Sequence, residues 1–195
     1  MSNDKEAIAR LFKLQAKINM MVVDGTRKAE DVAEILQQIL VEKQQYLRHL
    51  ETLTLTPTKG KATLAKGKKV FTGWLDSDFK NWGTDVSGID TDETKVDVHE
   101  MTRDGNCKTL FGSLGDPRKL CLTQGQIEEF CRSHLDSLRQ EGYGTFFLFE
   151  VNSELFVALV FVDVGRLVAY VDRFSYDCVW GAGGRHRLVV QQQTA

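Results

Sequence analysis

Residues 145–174 read TFFLFEVNSELFVALVFVDVGRLVAYVDRF. The stretch is rich in Phe, Val and Leu and runs with a period of two, the pattern of extended strands. Asn152–Ser153 and Gly165–Arg166 interrupt it as short turns. Three consecutive strands are therefore predicted to pair as an antiparallel meander. The middle strand is apolar at both parities: Leu155, Val157, Leu159 and Phe161 on one side, Phe156, Ala158, Val160 and Val162 on the other. An antiparallel sheet with one wet face would alternate cleanly, so both faces of this strand are expected to be covered. A last strand over 185–191 (RHRLVVQ) is expected to extend the sheet.

Working upstream, Thr123 and Gln126 form a capping box for a helix predicted over 124–140. Glu128 and Glu129 near its start and Arg139 near its end match the helix dipole. Ile127, Phe130, Cys131, His134, Leu135 and Leu138 make its apolar stripe, and Gly142 supplies the stop. This helix can cover one sheet face. The N-terminal segment or a second protomer is expected to cover the other.

The first fifty residues carry a helical period at Ile8, Leu11, Phe12, Ile18 and Val22, and again at Val32, Ile35, Leu36, Ile39 and Leu40. Tyr46, Leu47 and Leu50 extend the second stripe. Gly25 fits a helix stop and Thr26 an N-cap, so a helical hairpin is predicted over 1–52. Residues 53–69 contain five lysines and no acid. With Pro57, Gly60 and Gly67 breaking any helix, 53–71 reads as a lysine-rich linker. Residues 72–195 follow as an α+β domain. The predicted fold class is thus α+β: an N-terminal helical hairpin followed by an antiparallel β-meander packed against a helix.

Composition narrows the classes. The 195 residues are 42% apolar and 27% charged, with a net charge of −2. That balance excludes a polycationic nucleic-acid coat and a strongly acidic tail. No apolar run is long enough for a membrane span. The charged N-terminus lacks a signal-peptide core, so a cytoplasmic protein is expected. Four dilute cysteines without a CxxC pair give neither a zinc motif nor a disulfide framework. No metal site and no cofactor are predicted. The small net charge conceals a local reversal: residues 72–106 hold nine acids against three bases, directly after the lysine-rich segment.

Within that acidic stretch, GWLDSDFKNWGTD gathers Trp74, Asp76, Asp78 and Trp82. Aromatics beside carboxylates can bind a cation, a sugar or an exposed peptide. The same residues also read as core tryptophans and turn-capping aspartates. Residues 84–95 read as an exposed loop. Cys131 and His134 share a helical face but read as core. Arg185 and Arg187, with Arg173, could form a small basic patch or guard a strand edge.

The tetrapeptide Asp104–Gly105–Asn106–Cys107 resembles the nucleophile motif of ovarian-tumour-type cysteine proteases. That resemblance implies a Cys107 nucleophile activated by a distant base, with His186 on a late strand as the matching histidine. The pattern departs at Lys108–Thr109–Leu110 and at Gly112. The 18–50 hairpin, GWLDSDFKNWGTD and the 122–191 region together resemble a group of small uncharacterised bacterial proteins of candidate-phyla genomes. This implies a bacterial, cytoplasmic protein and brings no established activity. The favoured expectation is a non-enzymatic binding or regulatory module acting through protein–protein contacts, with 73–85 as the contact surface. A protein partner or homodimer through the N-terminal hairpin goes with it. The alternatives are a cysteine hydrolase using Cys107 and His186, and a weak nucleic-acid binder through the lysine-rich segment.

Overall fold

The computed structural model describes residues 2–193, and the side chains of residues 10, 12–36 and 45–193. The expected stripe positions Ile8, Leu11, Ile39 and Leu40 lie outside the described side chains. The chain divides into two units between Gln45 and Tyr46.

The first unit is a helix pair, α1 (Ser2–Val23) and α2 (Ala29–Gln44). Gly25 takes the left-handed conformation expected of a helix stop (φ 77°). Thr26 does not cap α2. Its amide and hydroxyl both donate to Asp24 Oδ1, which ties the turn instead.

The second unit begins with β1 (Leu47–Leu55) and β2 (Trp74–Leu75), followed by α3 (Asp78–Asn81) and β3 (Thr94–Met101). Three short helices come next: α4 (Cys107–Gly112), α5 (Pro117–Leu120) and α6 (Gln124–Ser133). The chain closes with β4 (Gly144–Val151), β5 (Glu154–Asp163), β6 (Arg166–Arg173) and β7 (Arg187–Gln191). All seven strands join one mixed sheet in the order β1-β3-β7-β4-β5-β6-β2. The meander β4-β5-β6 is antiparallel as expected. The last strand is not a fourth member of it. It pairs parallel with β4 and antiparallel with β3.

Several boundaries move. Tyr46, Leu47 and Leu50 do not prolong α2; they open the second unit, and the hairpin ends before residue 52. A bulge at Leu50 shifts the β1 register between His49 and Glu51. Leu47 therefore joins the core on one sheet face, while Leu50, Leu53 and Leu55 join the core on the other. Residues 56–71 are no free linker. Leu64 and Phe71 are buried, Thr58 bridges to Thr91, and Lys59 and Lys66 pair with Asp90 and Asp85 at 2.9 Å each. Gly60 permits this packing: a Cβ there would stand 2.5 Å from the Gly88 carbonyl oxygen. The charge reversal seen in the sequence is thus partly met within the chain. Residues 86–90 are exposed as expected, while Thr84 is buried, Asp85, Asp90 and Thr91 tie the loop to the 56–71 segment, and Thr94 and Lys95 open β3.

The capping box at Thr123 and Gln126 is present. The helix it starts ends at Ser133, not 140, because Leu138 turns back into the core after a 3-10 turn. α6 packs Ile127, Phe130 and Cys131 on the face that carries Phe147, Ala158 and Val160. The other face carries Phe146, Leu148, Val157, Leu159 and Leu188, and the second unit covers it itself through Leu110 and Phe111 of α4 and Leu120 of α5. The expectation that the hairpin or a second protomer would cover it is corrected: its cover is the pair of short helices α4 and α5, for which no helix is predicted from the sequence.

Candidate functional site

The covering by α4 and α5 stops short of the β6 end of the sheet. There a cleft of about 620 Å³ opens, within the size range of ligand pockets. Phe161, Tyr170 and Asp172 enter it from the sheet, Asp76, Asp78 and Trp82 from the segment around α3, and Tyr176 and Trp180 from the loop after β6.

Each wall has a local cause. β2 pairs parallel with β6, Trp74 opposite Val168 and Leu75 opposite Ala169, which brings the chain to Asp76 beside β6. Gly73 makes this approach possible, since a Cβ would meet Val168 Cγ2 at 2.9 Å. Asp76 Oδ1 accepts the Asp78 amide at 3.0 Å and so starts α3. Phe79 anchors α3 in the core. Along β6, Leu167, Ala169 and Val171 face the α6 core, and the strand period leaves Tyr170 and Asp172 on the opposite side, in the cleft. Arg173 reaches over the rim, its guanidinium 5.4 Å from the centre of the Trp82 ring and 3.0 Å from Glu154.

Asp172 is the electrostatic focus. It is half-buried, and no hydrogen bond or ion pair satisfies its carboxylate among the described residues. Burial raises its pKa, and the charge of Asp76 raises it further.

Of the four residues singled out in the sequence as a binding face, Asp76, Asp78 and Trp82 line this cleft. Trp74 does not; it is an exposed residue of an edge strand. Phe161, Tyr170, Asp172, Tyr176 and Trp180 were not singled out. For Tyr170 and Asp172 a signal exists in β6, where Tyr and Asp at positions i and i+2 interrupt and end the apolar run Leu167–Val171.

Cys107 and His186 do not have the features of a catalytic dyad. Cys107 opens α4 behind the Asn106 cap and is buried. Burial pushes its thiol up to about 12, the Asp172 charge adds to this, and a hydrogen bond from Trp180 only partly offsets it. A nucleophilic thiol needs the opposite shift. The His186 Nδ1 accepts the Gly144 amide at 3.0 Å, so this nitrogen carries no proton. Burial lowers the His186 pKa. Its ring stacks on Phe146 and meets Trp180 edge-on, as a core side chain does.

Cys131 is buried, and His134 Nε2 lies 3.2 Å from the Thr54 carbonyl. Arg173, Arg185 and Arg187 form no patch: Arg173 is at the cleft, Arg185 is exposed in a left-handed turn, and Arg187 donates to the carbonyls of Asp136 and Leu138. Among the described residues no group of three or more His, Cys, Asp or Glu side chains could hold a metal ion. No helix among them is long and apolar enough to cross a membrane.

No protein-family model, no curated protein and no solved structure matches this chain.

Proposed function

We propose that this protein is a non-enzymatic binding module that captures a cationic side chain of a protein partner in the acidic-aromatic cleft. The observation that carries this is Asp172: a half-buried carboxylate without a partner, next to a second carboxylate and walled by Tyr170, Tyr176 and Trp180. Desolvating a carboxylate beside a like charge is costly, and an incoming cation relieves both terms. A guanidinium or ammonium also gains from the faces of tyrosine and tryptophan, most where water is excluded. Arginine fits best, since its planar group can stack on a ring and hydrogen-bond a carboxylate at once. The unactivated Cys107 supports a binding role over a hydrolytic one. The pairing of Lys59 and Lys66 with aspartates lessens the case for phosphate binding.

The test is a fluorescence titration of the full chain with N-acetyl-arginine amide, using N-acetyl-citrulline amide as the neutral isostere. Two of the three tryptophans line the cleft, so occupancy is read directly. A saturable change for the arginine probe that Asp172→Asn weakens roughly tenfold is expected. Equal responses to both probes, or none, would overturn the reading.

A further inference from the structure

We infer that the N-terminal hairpin is a self-association element: two copies of the chain pair so that α1 of each lies against α2 of the other, in an antiparallel four-helix arrangement. This is independent of the cleft. Within the hairpin, Ile18, Met21 and Val32 are half-buried, and with Ile35 and Leu36 they line a mainly apolar groove of about 240 Å³, whose wall also holds Arg27 and Asp31. Ile35 and Leu36 remain about half exposed, at 53% and 46%. α1 carries a second apolar stripe that α2 does not cover: Phe12, Ala16 and Met20 at four-residue spacing, with Phe12 66% and Met20 69% exposed. A helix with two apolar stripes needs two neighbours, and a lone hairpin buries too little to be stable by itself.

Charge identifies the neighbour as a second copy. Between residues 10 and 23, α1 has Arg10, Lys13 and Lys17 and no acid. Between 29 and 36, α2 has Glu30, Asp31 and Glu34 and no base. Lys13 and Lys17 each follow a residue of the uncovered stripe, and Glu34 precedes Ile35. Lys13, Lys17, Glu30 and Glu34 form no ion pair among the described residues. A two-fold axis sets the basic helix of each copy against the acidic helix of the other, so both contacts are complementary at once. Parallel stacking of like helices would place like charges together.

Sedimentation velocity of the full chain tests this, with helicity checked by circular dichroism. The wild type should sediment as a dimer that weakens with salt. K13E/K17E makes both helices acidic and E30K/E34K makes both basic, so each variant alone should dissociate at least roughly tenfold more readily. Mixing the two variants one to one should restore the dimer, because each acidic helix then meets a basic one. A monomeric wild type, whose apolar stripe is then covered in some other way, overturns the inference. So does a dimer indifferent to the charge reversals.

Discussion

The guanidinium of Arg173 lies over the Trp82 ring, 5.4 Å from its centre, and so places a cation of the chain itself on the rim of the acidic-aromatic cleft. The Trp82 face is thereby occupied and the rim carries a positive charge that opposes an incoming cation. Arg173→Met removes the charge and keeps an apolar stem. It should strengthen binding of the arginine probe roughly threefold, read in the same fluorescence titration. A weaker affinity would show that Arg173 recognises the ligand and does not shield the site.

One buried amide ties both the 56–71 and the 84–91 segments to α6. Gln124 Oε1 accepts the Leu64 amide at 2.9 Å, and its Nε2 donates to the carbonyls of Thr84 and Val86 at 2.8 and 3.2 Å. Gln124→Leu fills similar space and leaves these backbone groups unsatisfied. Urea denaturation should show a loss of about 3 kcal/mol. A neutral result would mean that water reaches the groups.

Val164 stands in the β5–β6 turn at φ 47°, followed by Gly165 at φ 72°. A β-branched residue is strained there, and the turn favours Asn-Gly. The side chain is exposed. Val164→Asn should raise stability by about 1 kcal/mol in the same assay.

The cysteines give a sharp contrast. Cys178 is exposed, while Cys107 and Cys131 are buried. Burial holds the thiols of Cys107 and Cys121 at about 12. A chromogenic disulfide reagent at neutral pH should label Cys178 promptly and the others only on unfolding. Cys178→Ser should abolish the fast phase. Prompt labelling of Cys107 would revive the hydrolase alternative.

Acid should act on stability in two opposed ways. His99 and His186 have pKa values lowered from 6.5, in both chiefly by burial. Their contribution is present above the unfolded value and is lost as pH falls through the lowered folded value. Asp172 is raised from 3.8, so its contribution is full below that value and is lost as pH rises through the raised one. Denaturation between pH 4 and 8 should show the acid-side fall flattened in His186→Gln. Asp172→Asn should be more stable than wild type at pH 7, with the gap closing below about pH 4.

The meander and the α6 cap were legible because each has a strong local signal: Phe-, Val- and Leu-rich runs set off by the short turns Asn152–Ser153 and Gly165–Arg166, and Thr123 paired with Gln126. β1 was not legible. Its bulge at Leu50 breaks the alternation, and Tyr46, Leu47 and Leu50 happen to fall at helical spacing after a real helix. β3 was hidden because only Val96 and Val98 mark its apolar side among Lys95, Asp97, His99 and Glu100. The cleft was half legible. Asp76, Asp78 and Trp82 are neighbours in sequence, whereas Asp172, Tyr176 and Trp180 reach them only through the parallel pairing of β2 with β6, a long-range contact that no local pattern announces.

Cation binding by the cleft around Asp172 has a residue-resolved signature. Its most direct test is to map backbone amide chemical shifts of the full chain during titration with N-acetyl-arginine amide, in wild type and in Asp172→Asn. Saturable shifts gathered at 76–82, 170–173 and 176–180, and their loss in the variant, are expected. Shifts that are absent, scattered over the surface, or unchanged by Asp172→Asn would contradict it.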